Sequence, residues 1–182
     1  MFRYNPMFRY LAAALIVAAT PALAAQEAMP MPARDCPATP VPPPAELAGW
    51  QGRTALSAAS DPAGADAARI VPGKGVDAAL LPTPAIRYPV RPAHPGGSVS
   101  HGGIFAFEIT EAGTYRVAIG SGAWIEVVRG GQPATSTAHQ PGPACSGVRK
   151  MVDFTLEPGS YLLEIAGNGA PRLPILIARL PR

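Results

Sequence analysis

Lysine is nearly missing from this chain: two of its 15 basic residues are Lys, and the rest are Arg. Charged residues of either sign reach only 15%, and the net charge is +3. So small a balance is too weak to mark a nucleic-acid or anionic-membrane footprint. Cysteine is equally sparse, with Cys36 and Cys145 alone. Two cysteines so far apart exclude a disulfide-dense miniature scaffold and a Cys-x-x-Cys pair and show no zinc-finger spacing; two free thiols acting as metal ligands or a nucleophile are the rival to a bridge. No run beyond the N-terminal segment approaches the ~20 apolar residues of a membrane-spanning helix, because Arg, Glu, Gly or Pro interrupts each one. Helix-period segments of useful length are missing after that segment too. No phosphate loop, dinucleotide fingerprint or Gly-x-Ser-x-Gly elbow occurs.

Apolar residues, by contrast, make up 48% of the 182 positions, with 23 Pro and 19 Gly. That apolar content argues against a wholly disordered chain, and the length suits one domain. The N-terminal segment has the three parts of a secretory signal peptide. Arg3 and Arg9 give a positive start, Leu11 to Ala19 an apolar run, and Ala22-Leu23-Ala24 a small-x-small cleavage pattern after Pro21. Residues 1–24 are therefore expected to be removed on export, leaving Ala25 or Gln26 at the N-terminus. The Arg-rich, Lys-poor usage fits a GC-rich bacterial source, so a periplasmic or secreted location is expected. In an oxidising compartment two cysteines most often pair. A Cys36–Cys145 bridge would close a loop of about 110 residues, for which chain entropy gives ~4.7 kcal/mol as an upper figure.

Three zones follow the signal. Residues 25–48 read as a tether, because seven prolines between Pro30 and Pro44 favour extended polyproline-like chain. From Gly49 to Gly103 the pattern is irregular β, with short candidate strands at Arg53–Ser57, Lys74–Leu81 and Ile86–Val90. Asp61–Ala68 reads as a loop or one helical turn, and Gly96–Gly103 as a flexible glycine loop. From Ile104 onward, period-two alternation dominates: Phe105, Phe107 and Ile109; Tyr115, Val117 and Ile119; Trp124 to Val128; Val152, Phe154 and Leu156; Tyr161, Leu163 and Ile165; Leu173, Ile175 and Ile177. Glycine-rich turns separate these runs, as hairpins require. The expected fold is all-β: an antiparallel, jelly-roll-like sandwich over residues 49–182.

Phe105-x-Phe107-x-Ile109, Gly113-Thr114-Tyr115 and Phe154-x-Leu156-x-Pro158-Gly159-x-Tyr161 resemble the bacterial pre-peptidase C-terminal β-sandwiches over roughly Gly103 to Leu180. That resemblance implies a secreted accessory module. The Gly122-Ala123-Trp124-Ile125 strand and the stretches Gly142–Cys145 and Arg149–Val152 are also similar to small exported sphingomonad-type proteins that carry the name homogentisate dioxygenase. That second resemblance implies non-haem iron.

Iron oxygenase chemistry needs two His and a carboxylate with open positions. His101, His139 and Glu108 are the candidate set, with His94 the remaining histidine. No two of the three His lie closer than seven residues, whereas cupin-type dioxygenases use a close His-x-His pair. Homogentisate dioxygenases are also far longer and cytosolic. Ser98 or Ser100 with His101 and Asp153 could be assembled into a triad on paper, but any chain of this size holds such residues. Glu108, Glu126 and Glu164 fall on the polar phase of their strands, where solvated carboxylates are normal. The better candidates are rings that can stack on sugars or peptides, namely Trp50, Tyr88 and Trp124, together with the adjacent cations Arg149 and Lys150. Core packing is nevertheless the favoured role for Trp124, as for Tyr115, and Trp50, flanked by Gly49 and Gly52, is the least constrained. The sequence thus points to a non-catalytic binding or structural accessory protein, with an unknown small molecule, glycan or envelope protein as partner. An iron-dependent dioxygenase is the alternative.

Overall fold

A computed structural model describes residues 36–181. The segment expected to be a signal peptide and the first part of the expected tether lie outside the described residues. Eleven strands form within the described chain: β1 Thr54–Ser57, β2 Val76–Ala79, β3 Leu81–Pro82, β4 His101–Ile109, β5 Gly113–Ile119, β6 Trp124–Arg129, β7 Gln132–Pro133, β8 Ser136–Pro141, β9 Lys150–Leu156, β10 Gly159–Asn168 and β11 Arg172–Arg179. They make two sheets, ordered β1-β2-β11-β5-β9-β8 and β3-β4-β10-β6-β7.

Eight of the strands nest in pairs. β2 lies antiparallel to β11, β4 to β10, β5 to β9 and β6 to β7. A long hairpin rolled over itself gives this order, which is that of a jelly roll. β1 adds to one edge in parallel with β2, while β8 and β3 extend two other edges. The alternation read from the sequence sets the inner faces. Phe105, Phe107, Val117, Phe154, Leu163 and Ile177 are all buried in one core.

Two tyrosines fix the corners where the chain crosses between sheets. Tyr115 donates its hydroxyl to the Glu111 carbonyl at 2.8 Å, and Tyr161 does the same to Glu157 at 2.8 Å. Both stand in a repeated Glu-x-Gly-Ser/Thr-Tyr segment, once between β4 and β5 and once between β9 and β10. The ring enters the core and the hydroxyl closes the turn, as in the tyrosine corner of other sandwiches.

Four expectations need correction. The tether is docked from Cys36 onward. Cys36 is bonded to Cys145, Val41 N–H donates to the Cys145 carbonyl at 2.8 Å, and a 3-10 helix at Ala45–Trp50 buries Leu47 and Trp50. These two side chains cover Ala118, Met151, Leu176 and Ala178 on the outer face of the six-stranded sheet. Lys74–Leu81 is not one strand, because the chain leaves one sheet after Ala79 and joins the other at Leu81. Ile86–Val90 forms no strand; its prolines cannot donate to a ladder, and it runs as a strap past β10. Gly102 and Gly103 are not part of a flexible loop but of β4. A side chain at Gly102 would collide with the Ile165 carbonyl and the Tyr88 hydroxyl, and one at Gly103 with Ala58. Glycine serves close approach here, not mobility. Asp61 caps the 3-10 helix Pro62–Ala67 by accepting from Gly64 N–H at 3.0 Å, so of the loop or helical turn expected there the turn is what forms.

Candidate functional site

The outer face of β10 and β6 carries the most concentrated chemistry. In the β10–β6 register Glu164 lies opposite Glu126, and Ala166 opposite Trp124. Residues two apart on a strand share a face, so Glu164, Ala166, Glu126 and Trp124 point the same way, away from the core side of Leu163 and Ile165. The strap after Thr83–Ala85 crosses this face. Tyr88 donates its hydroxyl to the Ile165 carbonyl at 2.7 Å, and Val90 N–H donates to Glu164 Oε1 at 3.2 Å.

Further along the strap, His94 lies with its ring centroid 4.7 Å from that of Trp124, at an interplanar angle of 58°. The Lys150 ammonium sits 5.4 Å from the same ring and donates to the Ala123 carbonyl at 2.9 Å. The Trp124 indole N–H donates to Glu126 Oε2 at 3.0 Å, which fixes the plane of the ring. An open cleft of about 450 Å³ follows, walled by His94, Pro95 and Gly96 of the strap and by Gly122, Trp124 and Gly167. Trp124 does not fill the core as expected: it stands on the outer face, half-buried, so part of its ring faces that space. Gly96 and Gly167 both take positive φ, and a Cβ on Gly96 would strike Gly167, so this part of the wall is built by backbone.

Electrostatics on this face are unusual. Glu164 is fully buried, and its Oε2 has no hydrogen-bond partner. Burial pushes its carboxyl up to about 7; the Glu126 charge pushes the same way, against the Val90 N–H. The Tyr88 phenol is also raised, chiefly by burial and then by Glu164. Burial lowers the Lys150 ammonium.

Of the residues singled out in the sequence, Trp124, Lys150 and Tyr88 meet on this face or its strap. Trp50 does not. It is buried, donates its indole N–H to the Ser146 carbonyl at 3.1 Å, and carries the Arg53 guanidinium 5.1 Å above its ring. Flanking glycines left room for the opposite expectation; the docked N-terminal segment removes it. Trp50 does border a second cleft of about 360 Å³, closed on one side by Thr39, Pro40 and Val41. Arg149 remains exposed, while Lys150 turns onto Trp124, so the two adjacent cations form no common rim.

The His101, His139 and Glu108 set of the iron alternative does not converge. His101 and Glu108 stand at opposite ends of β4, roughly 23 Å apart at ~3.3 Å per residue. His139 is on the edge strand β8 of the other sheet, within 2.8 Å of Ser136 Oγ. Glu108 faces Arg69 at 3.9 Å. Among the described residues no three of His, Cys, Asp and Glu are grouped to hold a metal ion. Asp153, a candidate triad member, is instead held bidentately by Arg116 at 2.7 and 2.8 Å.

Glu164 is the residue the sequence reading misplaced. Its phase on β10 is polar, yet Leu162 and Ala166 share that phase and are apolar. An outward face with apolar residues on both sides of a Glu signals that something covers it. The strap does. No family model matches the chain, and a search among curated proteins finds no relative.

Proposed function

We propose that this chain is an exported, non-catalytic binding module that takes a glycan in the Trp124 cleft. The observation that carries the reading is a part-exposed indole, locked in plane by Glu126, at the mouth of an open cleft. An aromatic face stacks on the apolar C–H side of a sugar ring, while His94 in the cleft wall supplies a polar partner for hydroxyls. The cleft is open to solvent, so a sugar ring can reach the exposed part of the indole. The resemblance to secreted accessory sandwiches supports the same role. The disulfide is compatible with an oxidising compartment, and among the described residues no helix is long and apolar enough to cross a membrane. No arrangement in the described chain favours the dioxygenase reading over this one.

The test is a glycan array probed with the signal-free protein and with Trp124→Ala. Wild type should bind a defined group of oligosaccharides. The variant should lose that binding at least tenfold while melting within a few degrees of wild type, since the ring is only half-buried. Binding that is unaffected by Trp124→Ala, or no binding to any glycan, would remove this cleft from the reading.

A further inference from the structure

The binding role leaves Glu164 unused. It lies mid-strand in β10, fully buried, where a carboxyl group has no ordinary structural reason to be. One oxygen holds the strap through Val90 N–H and the other has no partner. Each element packed around it fails to supply a cation. β6 presents Glu126, a second carboxylate, directly opposite, and β4 presents Ile104. From the strap, Tyr88 spends its hydroxyl on the Ile165 carbonyl, while Arg87, Arg91 and His94 are exposed. Lys150 lies beyond Glu126, on the Trp124 ring.

We propose that Glu164 is a proton-operated fastener of the strap: neutral, it holds residues 88–96 against β10; ionised, it releases them and loosens the His94 wall of the Trp124 cleft. A neutral carboxyl tolerates burial with one accepted hydrogen bond. An ionised one in the same place is a buried charge facing another carboxylate, and lifting the strap lets water reach it. The fastening concerns the strap alone; only its consequence for ligand rests on the binding role proposed above.

The direction of the pH effect follows from proton linkage. With the strap closed the carboxyl sits at about 7, against an ordinary value of 4.5. Between those values the closed form binds the proton and the open form does not, so opening becomes about tenfold more favourable per pH unit. The fastening is complete below the ordinary value and lost as pH rises through about 7.

Hydrogen exchange followed by mass spectrometry on the ligand-free protein between pH 5 and 8 tests this. After correction for intrinsic rates, protection of peptides spanning residues 87–97 should fall about tenfold per pH unit up to about 7 and then level off, while β5 and β9 stay constant. Glu164→Gln keeps the acceptor but cannot ionise, so its strap protection should be flat. Glu126→Gln removes the opposing charge and should move the levelling point to lower pH; it carries the test if Glu164→Gln does not fold. His94→Gln should leave the slope intact. Flat protection in wild type, or a slope that persists in Glu164→Gln or vanishes in His94→Gln, would overturn the proposal. A flat profile would leave the glycan reading standing, and a silent glycan array would leave the fastener standing.

Discussion

Tyr161→Ala is expected to lower stability by ~3–5 kcal/mol, the usual cost of truncating a buried aromatic to a cavity. The ring is 5% exposed and stacks on Phe107 at a centroid distance of 5.4 Å. Its hydroxyl closes the corner between β9 and β10, and the Arg129 guanidinium lies 5.2 Å from its ring. The variant therefore loses core volume, a turn hydrogen bond and a cation contact together. A domain commonly has ~5–15 kcal/mol in all, so thermal unfolding should shift by many degrees. Tyr161→Phe separates the parts. It keeps the ring and loses only the hydroxyl, so it should cost about 1 kcal/mol. Chemical denaturation of both variants measures the split. An alanine variant within 1 kcal/mol of wild type would mean that the corner does not anchor the core.

Removing the Cys36–Cys145 bridge should have an effect of similar size. The two residues are separated by 109 positions, and a loop that long is expected to contribute up to ~4.7 kcal/mol through the unfolded chain. The bridge also anchors the segment that leads to Leu47 and Trp50, which cover the outer face of the six-stranded sheet. The double variant Cys36→Ser/Cys145→Ser should therefore lose ~3–5 kcal/mol and become sensitive to proteolysis between residues 36 and 48. Denaturation in the presence of a reductant should give the same loss for wild type and none for the variant. Equal midpoints for oxidised and reduced wild type would show that the bridge constrains nothing that matters to folding.

The sandwich was legible in the sequence because its inner faces obey a strict period of two. Phe105, Phe107 and Ile109, or Tyr161, Leu163 and Ile165, need no partner sequence to announce a half-buried strand. What covers the outer faces was not legible in the same way. Proline-rich segments carry no periodicity, so neither the docking of Leu47 and Trp50 nor the crossing of the Tyr88–Gly96 strap could be read from local pattern. Trp50 and Glu164 were misjudged for that reason: Trp50 belongs to a docked 3-10 helix that follows the prolines, and Glu164 lies under the irregular strap. Gly102 and Gly103 failed for another reason. A glycine chosen for close approach looks the same in sequence as one chosen for freedom, and only the neighbouring Tyr88 and Ala58 tell the two apart. The candidate site was half visible, since Trp124, Tyr88 and Lys150 stood out by residue type, while the carboxylate pair depended on the β10–β6 register.

The two indole N–H groups provide the most direct measurement of the binding role. Trp124 lies at the proposed site, and Trp50 is buried beside the other cleft, so each reports on one location in the same spectrum. The protein labelled with nitrogen-15 should be titrated with the strongest oligosaccharide from the array. A glycan in the proposed cleft should shift the Trp124 indole and the amides of Gly96, Gly122 and Gly167 in a saturable manner, leaving the Trp50 indole in place. Saturable shifts centred on Trp50 and Gly147, with Trp124 unmoved, would contradict that assignment of the site.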